Sequence, residues 1–148
     1  MNMITTKPAK TDAHSGGCLC GAVRYEVAGR LRPVVLCHCT QCRRNTGHFM
    51  AATAARHRDF RLSVAEELRW YESSDSARRG FCGRCGSTLF WQAGGRDYVS
   101  IAAGSLDGPT GLTSAAHIYV GDKGDYYAIE DGLPQRTDGH FSVPIPEG

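Results

Sequence analysis

Seven cysteines dictate most of what this 148-residue chain can become. They fall in three tight clusters: Cys18-Leu19-Cys20, Cys37-His38-Cys39-Thr40-Gln41-Cys42 and Cys82-Gly83-Arg84-Cys85. Cysteines that serve as small buried hydrophobes are scattered, not clustered. An odd number fits a complete disulfide framework poorly. Thiolates one or two residues apart instead reach a single ion from a tight turn, and Zn²⁺ takes four ligands in a tetrahedron with Zn–S bonds of about 2.3 Å. Gly86, just past the last cluster, gives the backbone freedom at its crowded turn. A redox pair at Cys82 and Cys85 would call for a flanking β-α-β pattern, which the sequence lacks. The spacing therefore points to a protein built around two zinc ions.

The stretches between the clusters read as short strands. Residues 22–27 alternate with period two, placing Val23, Tyr25 and Val27 on one buried face. Residues 34–36, 49–55, 60–64, 67–72, 77–81, 88–92, 98–102 and 116–120 are further strands. Residues 40–45 make one helical turn, too short to stand alone. Turns are expected at 56–59, 73–76, 104–111 and 121–124. Trp70, Phe90 and Trp91 are expected in the core. The length suits a single domain: a flexible N-terminal arm over 1–16, a zinc-binding β domain over 17–134 and an extended tail over 135–148, with short antiparallel strands throughout.

Charge excludes little but steers the reading. The formal net charge is +2, and seven thiolates with two Zn²⁺ bring it to about −1. That disfavours nucleic acid and anionic membranes as partners. No apolar run approaches the ~20 residues needed to span a bilayer, and residues 1–15 lack a signal-peptide core. The expected compartment is the cytoplasm, where thiols stay reduced.

Spacing alone leaves the ligand grouping open. Cys39 and Cys42 can join Cys82 and Cys85 in a zinc-ribbon site. Alternatively, Cys18, Cys20, Cys82 and Cys85 close one site, and Cys37, Cys39 and Cys42 form a second with a vacant coordination position, as in catalytic zinc sites. Such an open position lowers the pKa of water or of a thiol. Three thiolates already donate much charge to the metal. They weaken it for hydrolysis and suit it to a soft incoming sulfur. His38 can be a fourth ligand, a proton carrier or a bystander. A residue between two ligands on a tight turn usually points away from the metal. His48 is a second acid/base candidate, and His117 reads as a core histidine. Thr40, Gln41 and Asn45 are candidates to line a polar pocket. Arg43, Arg44, Arg78, Arg79 and Arg84 either balance thiolate charge or hold carboxylates of an anionic substrate, with Arg43 and Arg78 named as substrate contacts beside His38 and His48.

These residues resemble the glutathione-dependent formaldehyde-activating enzymes. The resemblance runs through Gly16-Gly17-Cys18-Leu19-Cys20-Gly21-Ala22-Val23-Arg24-Tyr25, Cys37-His38-Cys39-Thr40-Gln41-Cys42-Arg43 and Arg79-Gly80-Phe81-Cys82-Gly83-Arg84-Cys85-Gly86-Ser87. Weaker echoes are Ala103-Gly104-Ser105-Leu106-Asp107, His117-Ile118-Tyr119-Val120 and Asp131-Gly132-Leu133-Pro134. The resemblance implies a mainly β, Mss4-like tent. It also implies a structural zinc on Cys18, Cys20, Cys82 and Cys85 and a catalytic zinc on Cys37, Cys39 and Cys42. The implied activity joins glutathione and formaldehyde to S-(hydroxymethyl)glutathione, formally a carbon–sulfur lyase reaction. The competing expectation is a non-catalytic zinc module for interaction or metal handling on the same fold. Metal analysis of the purified chain is expected to return two zinc ions per chain. One ion, with Cys37, Cys39 and Cys42 free to alkylating reagents, would remove the second centre.

Overall fold

The computed structural model describes residues 13–139 and 143–147. Ten strands form two sheets. The smaller has the order β1 (His14–Gly17), β2 (Arg24–Val27), β5 (Phe60–Val64), all antiparallel. The larger runs β10 (Ser114–Ile118), β3 (Val34–Cys37), β4 (Met50–Arg56), β9 (Tyr98–Ala102), β8 (Thr88–Ala93), β7 (Ala77–Cys82), β6 (Leu68–Glu72). The mainly β reading holds, with every expected strand present within two residues of its bounds. One pairing departs from the all-antiparallel expectation: β10 lies parallel to β3. A parallel pair needs a long crossover, and here six strands intervene in sequence.

The main core lies where the period-two pattern of β2 placed it. Val23, Tyr25 and Val27 are buried with Leu89, Phe90, Val99 and Ile101. Tyr25 stacks on Phe60 and meets Phe90 edge-on at 5.4 Å, and its hydroxyl bonds Ser105 Oγ at 2.7 Å. Burying an aromatic ring this way requires its polar end to find a partner. Trp70 packs against this core, whereas Trp91 is half-buried outside it.

The ends of the domain differ from the sequence reading. The first twelve residues of the expected arm lie outside the described residues, but His14, Ser15 and Gly16 already belong to β1. At the other end, the expected tail begins by pairing. Backbone bonds His117 N to Pro134 O (2.9 Å), Arg136 N to His117 O (2.9 Å) and Tyr119 N to Asp138 O (3.2 Å) run it along β10. An edge strand exposes unpaired amides and carbonyls, and this segment satisfies them. Among the described residues no helix is long and apolar enough to cross a membrane.

The turn after β9 clamps the small sheet. Asp107 accepts from Ser15 Oγ at 2.8 Å and from both terminal nitrogens of Arg24, while its own amide donates to Ser15 O at 2.9 Å. The Arg24 guanidinium, helped by Ser15, pulls the Asp107 carboxyl from 3.8 to about 2. A depressed folded-state pKa contributes stability above the unfolded value, and that stability is lost as pH falls through the folded one. Denaturant melts of the wild type and Asp107→Asn are expected to differ by a constant amount above about pH 4 and to converge towards pH 2. A gap that does not change with pH would show that the carboxylate charge is immaterial.

Candidate metal centres

Each sheet supplies half of the first cysteine cluster. The β1–β2 hairpin carries Cys18 and Cys20, and the β7–β8 hairpin carries Cys82 and Cys85. All four sulfurs lie within 4.8 Å of one another. Cys18 and Cys20 are 3.7 Å apart, and Cys20 and Cys82 are 3.8 Å apart. A tetrahedron with 2.3 Å metal–sulfur bonds has edges of about 3.8 Å, so the spacing fits zinc. Backbone amides point at the sulfurs. Val23 N donates to Cys18 at 3.2 Å, and Arg84 N and Cys85 N each donate to Cys82 at 3.4 Å. The Ser87 hydroxyl reaches Cys85 at 3.2 Å and holds its thiol down at about 5. Bonds to the thiolate favour the charged form, which is the form a metal needs. Positive φ at Gly21 (84°) and Gly86 (79°) closes the two hairpin turns. Arg84 pairs with Glu67, as does Arg69.

Cys37, Cys39 and Cys42 form the second cluster, again with all sulfurs within 4.8 Å. The ribbon grouping, which would have moved Cys39 and Cys42 to the first site, is not what the fold assembles. Cys37 ends β3, and Cys39 caps helix α1 (Thr40–Thr46), its sulfur accepting from Cys42 N at 3.3 Å. The expected helical turn is thus a two-turn helix, stopped by Gly47 at φ 84°. Met50, Ala52 and Ala102 pack round the sulfurs. Bonding from Cys37 and Cys42 pulls Cys39 down to about 2, while Cys37 is pushed up chiefly by its bond to Cys39.

His38 turns away from the sulfurs and is completely buried. It bonds Tyr127 Oη through Nδ1 and His117 Nδ1 through Nε2, the latter at 2.8 Å, and His117 Nε2 meets Asp131 Oδ2 at 2.8 Å. The donor directions follow from the inventory of each group. Asp131 can only accept, so His117 carries its hydrogen on Nε2 and accepts on Nδ1. His38 then donates from Nε2 and accepts the Tyr127 hydroxyl on Nδ1. Burial, with His117 and His48 nearby, lowers the His38 pKa to about 4, keeping the ring neutral. Both nitrogens of His38 are therefore committed to Tyr127 and His117.

The remaining candidates separate. His48 bonds Tyr126 Oη through Nδ1 at 2.7 Å and packs on Phe49 and Tyr127, next to His38. Thr40 and Asn45 are exposed on α1, Arg43 is half-buried there, and Gln41 bridges Ser73 O and Arg79. Arg78 lies elsewhere. Its guanidinium lies 3.9 Å over Trp70 and donates to Gln92 at 2.7 and 3.0 Å, lining a different groove with His57 and Glu72. Its neighbour Arg79 is the one that reaches the three-cysteine cluster, 3.5 Å from Cys42 Sγ. Strand alternation puts the two on opposite faces. Tyr119 was not singled out. It is the one non-glycine with positive φ (56°) among the described residues, and all three thiols act on its hydroxyl electrostatically, adding to burial in raising its pKa. Strain of that kind gathers at functional sites, and nothing in the sequence announces it.

A mainly β fold thus brings together a four-sulfur and a three-sulfur cysteine cluster, each able to hold a metal ion. The family model described as glutathione-dependent formaldehyde-activating enzyme matches residues 13–122, and the chain belongs to that family. It is 31% identical over 116 residues to an uncharacterized lyase of Schizosaccharomyces pombe, covering 77% of this chain and 83% of the relative. It also resembles a crystal structure of a Rhodobacter sphaeroides protein, with TM-score 0.55 and 31% identity over 66% of this chain and 91% of the other.

His38→Ala leaves His117 Nδ1 and the Tyr127 hydroxyl without their partner. It is expected to destabilise the protein by about 2 kcal/mol with metal content unchanged, measured by denaturant melts and metal analysis. Loss of an ion would make His38 a ligand after all.

Proposed function

We propose that this chain is a zinc-dependent carbon–sulfur lyase that adds a glutathione-type thiol to formaldehyde or another small aldehyde. One observation carries the reading: the second cluster offers three sulfurs and no fourth protein ligand among the described residues. The imidazoles of His38 and His48 are tied to tyrosines instead. A closed four-sulfur site alone would suit a non-catalytic module. The family supports glutathione and formaldehyde as substrates, and the relative named a lyase supports the reaction class.

A zinc ion held by Cys37, Cys39 and Cys42 supplies an open position that favours the thiolate form of an incoming thiol at neutral pH. The chain's own residues do the rest. The three cysteines fix the place of the incoming sulfur. Arg43, with Thr40 and Asn45 on the exposed side of α1, is placed to meet the carboxylates and amides of a glutathione-type tripeptide. Tyr119, whose hydroxyl feels all three thiols, and the His48–Tyr126 pair supply hydroxyl and imidazole groups for the proton that leaves sulfur and ends on the aldehyde oxygen. A sulfur–carbon bond forms, the carbonyl π bond opens, and the product is a hemithioacetal. Holding both reactants together supplies much of the advantage over the spontaneous reaction.

The test is the rate of hemithioacetal formation from formaldehyde and several thiols, with and without protein. Acceleration with glutathione is expected, and none above the spontaneous rate would defeat the reading for that pair. Cys39→Ser is expected to keep the fold and lose on the order of 100-fold or more of the acceleration, whereas Cys82→Ser unfolds the protein. Equal thermal destabilisation by both would mean that the two centres do not divide structure from chemistry.

A further inference from the structure

Arg79 is the one lysine, arginine, aspartate or glutamate fully buried among the described residues, at 5% exposure. Its surroundings are unusual for a buried cation. Nη2 donates to Gln41 Oε1 at 3.3 Å and to Cys42 Sγ at 3.5 Å, and Nη1 faces Met50 Sδ at 3.9 Å. Nε is buried with no hydrogen-bond partner. No carboxylate pairs with it among the described residues, although Arg24, Arg56, Arg61, Arg69 and Arg84 all have one. A guanidinium buried without an anion is strongly unfavourable, so an anion belongs beside it. Among the described residues, the anionic candidate it touches is the Cys42 sulfur.

We propose that Arg79 is the built-in counter-ion of the three-cysteine centre, setting its charge so that one further anionic sulfur can be taken up. Three thiolates on a divalent ion carry −1, which Arg79 neutralises. An incoming thiolate then leaves the ensemble at −1, where without Arg79 it would reach −2 inside a half-buried nest. The four-cysteine centre carries its own −2 differently. Cys20 is exposed there, and backbone amides from Val23, Arg84 and Cys85 point at its sulfurs. The proposal rests on the three-cysteine metal centre argued above but not on the identity of the aldehyde. Arg79 is a positioning residue: it acts through the Cys42 sulfur and does not meet substrate.

The test uses full-length protein with the four-cysteine centre filled with zinc. Cobalt(II) is titrated into the three-cysteine centre against a chelator, followed by sulfur-to-cobalt charge-transfer absorbance, and glutathione is then titrated onto the cobalt form. Arg79→Met is expected to weaken cobalt binding about tenfold or more and glutathione binding further, while Arg79→Lys, which keeps the charge, recovers most of both. With the four-cysteine centre still zinc-filled and the three-cysteine centre empty, the Met variant should be at least as stable as wild type in the same state, since it loses a lone buried cation. A purely structural arginine would show the reverse. Unchanged cobalt and glutathione binding in the Met variant overturns the proposal, as does a Lys variant that binds as weakly as Met. Should the Met variant fail to fold, the Lys variant against wild type decides: near wild-type binding supports the charge role, and weak binding overturns it. Wild type that binds cobalt and glutathione without accelerating hemithioacetal formation would defeat the proposed reaction and leave this inference standing.

Discussion

The cross-link through Cys18, Cys20, Cys82 and Cys85 is the constraint on which the rest depends. Its ligands come in pairs from two hairpins in different sheets. Cys20 and Cys82 meet across 62 residues of sequence. Joining them fixes the small sheet against the large one, and Tyr25, Phe60 and Phe90 fill the space so created. Ligand binding of this kind is folding energy. The amides directed at Cys18 and Cys82 prepare the thiolates, and the glycine turns let the backbone come close enough to donate.

The second cluster is built to a different specification. It sits at the junction of β3 and α1, beside the parallel β3–β10 pair. Its surroundings are a thioether, a methyl-lined pocket and a guanidinium rather than a ring of amides. The first cluster offers four sulfurs from two sheets. The second offers three, with the Arg79 guanidinium against one of them. The two clusters thus differ in their neighbours as much as in their ligand count.

Much of this was legible in the sequence, for identifiable reasons. The alternation of Val23, Tyr25 and Val27 shows one buried face because strand periodicity is local. The cysteine pairs show metal chemistry because thiols that must share an ion need short spacing. What escaped was non-local. Nothing in residues 114–118 says that they lie parallel to β3, since pairing direction depends on the path between. Arg78 and Arg79 are adjacent in a list but on opposite faces of a strand, and only the register of β7 says which face meets Cys42. His38 is the middle of a cysteine motif in sequence and the middle of a hydrogen-bond chain in space, and the chain is invisible until His117, Tyr127 and Asp131 are brought to it.

That chain has a consequence for how such a protein can vary. Tyr127, His38, His117 and Asp131 each have one donor or acceptor role set by the next member. A change at any one of them strands its neighbour, whereas coordinated replacement of two need not. Four positions spread over 94 residues of sequence therefore form one heritable unit. Among relatives they should drift together or not at all, while the solvent-facing side of α1, where Thr40 and Asn45 lie, carries no such constraint.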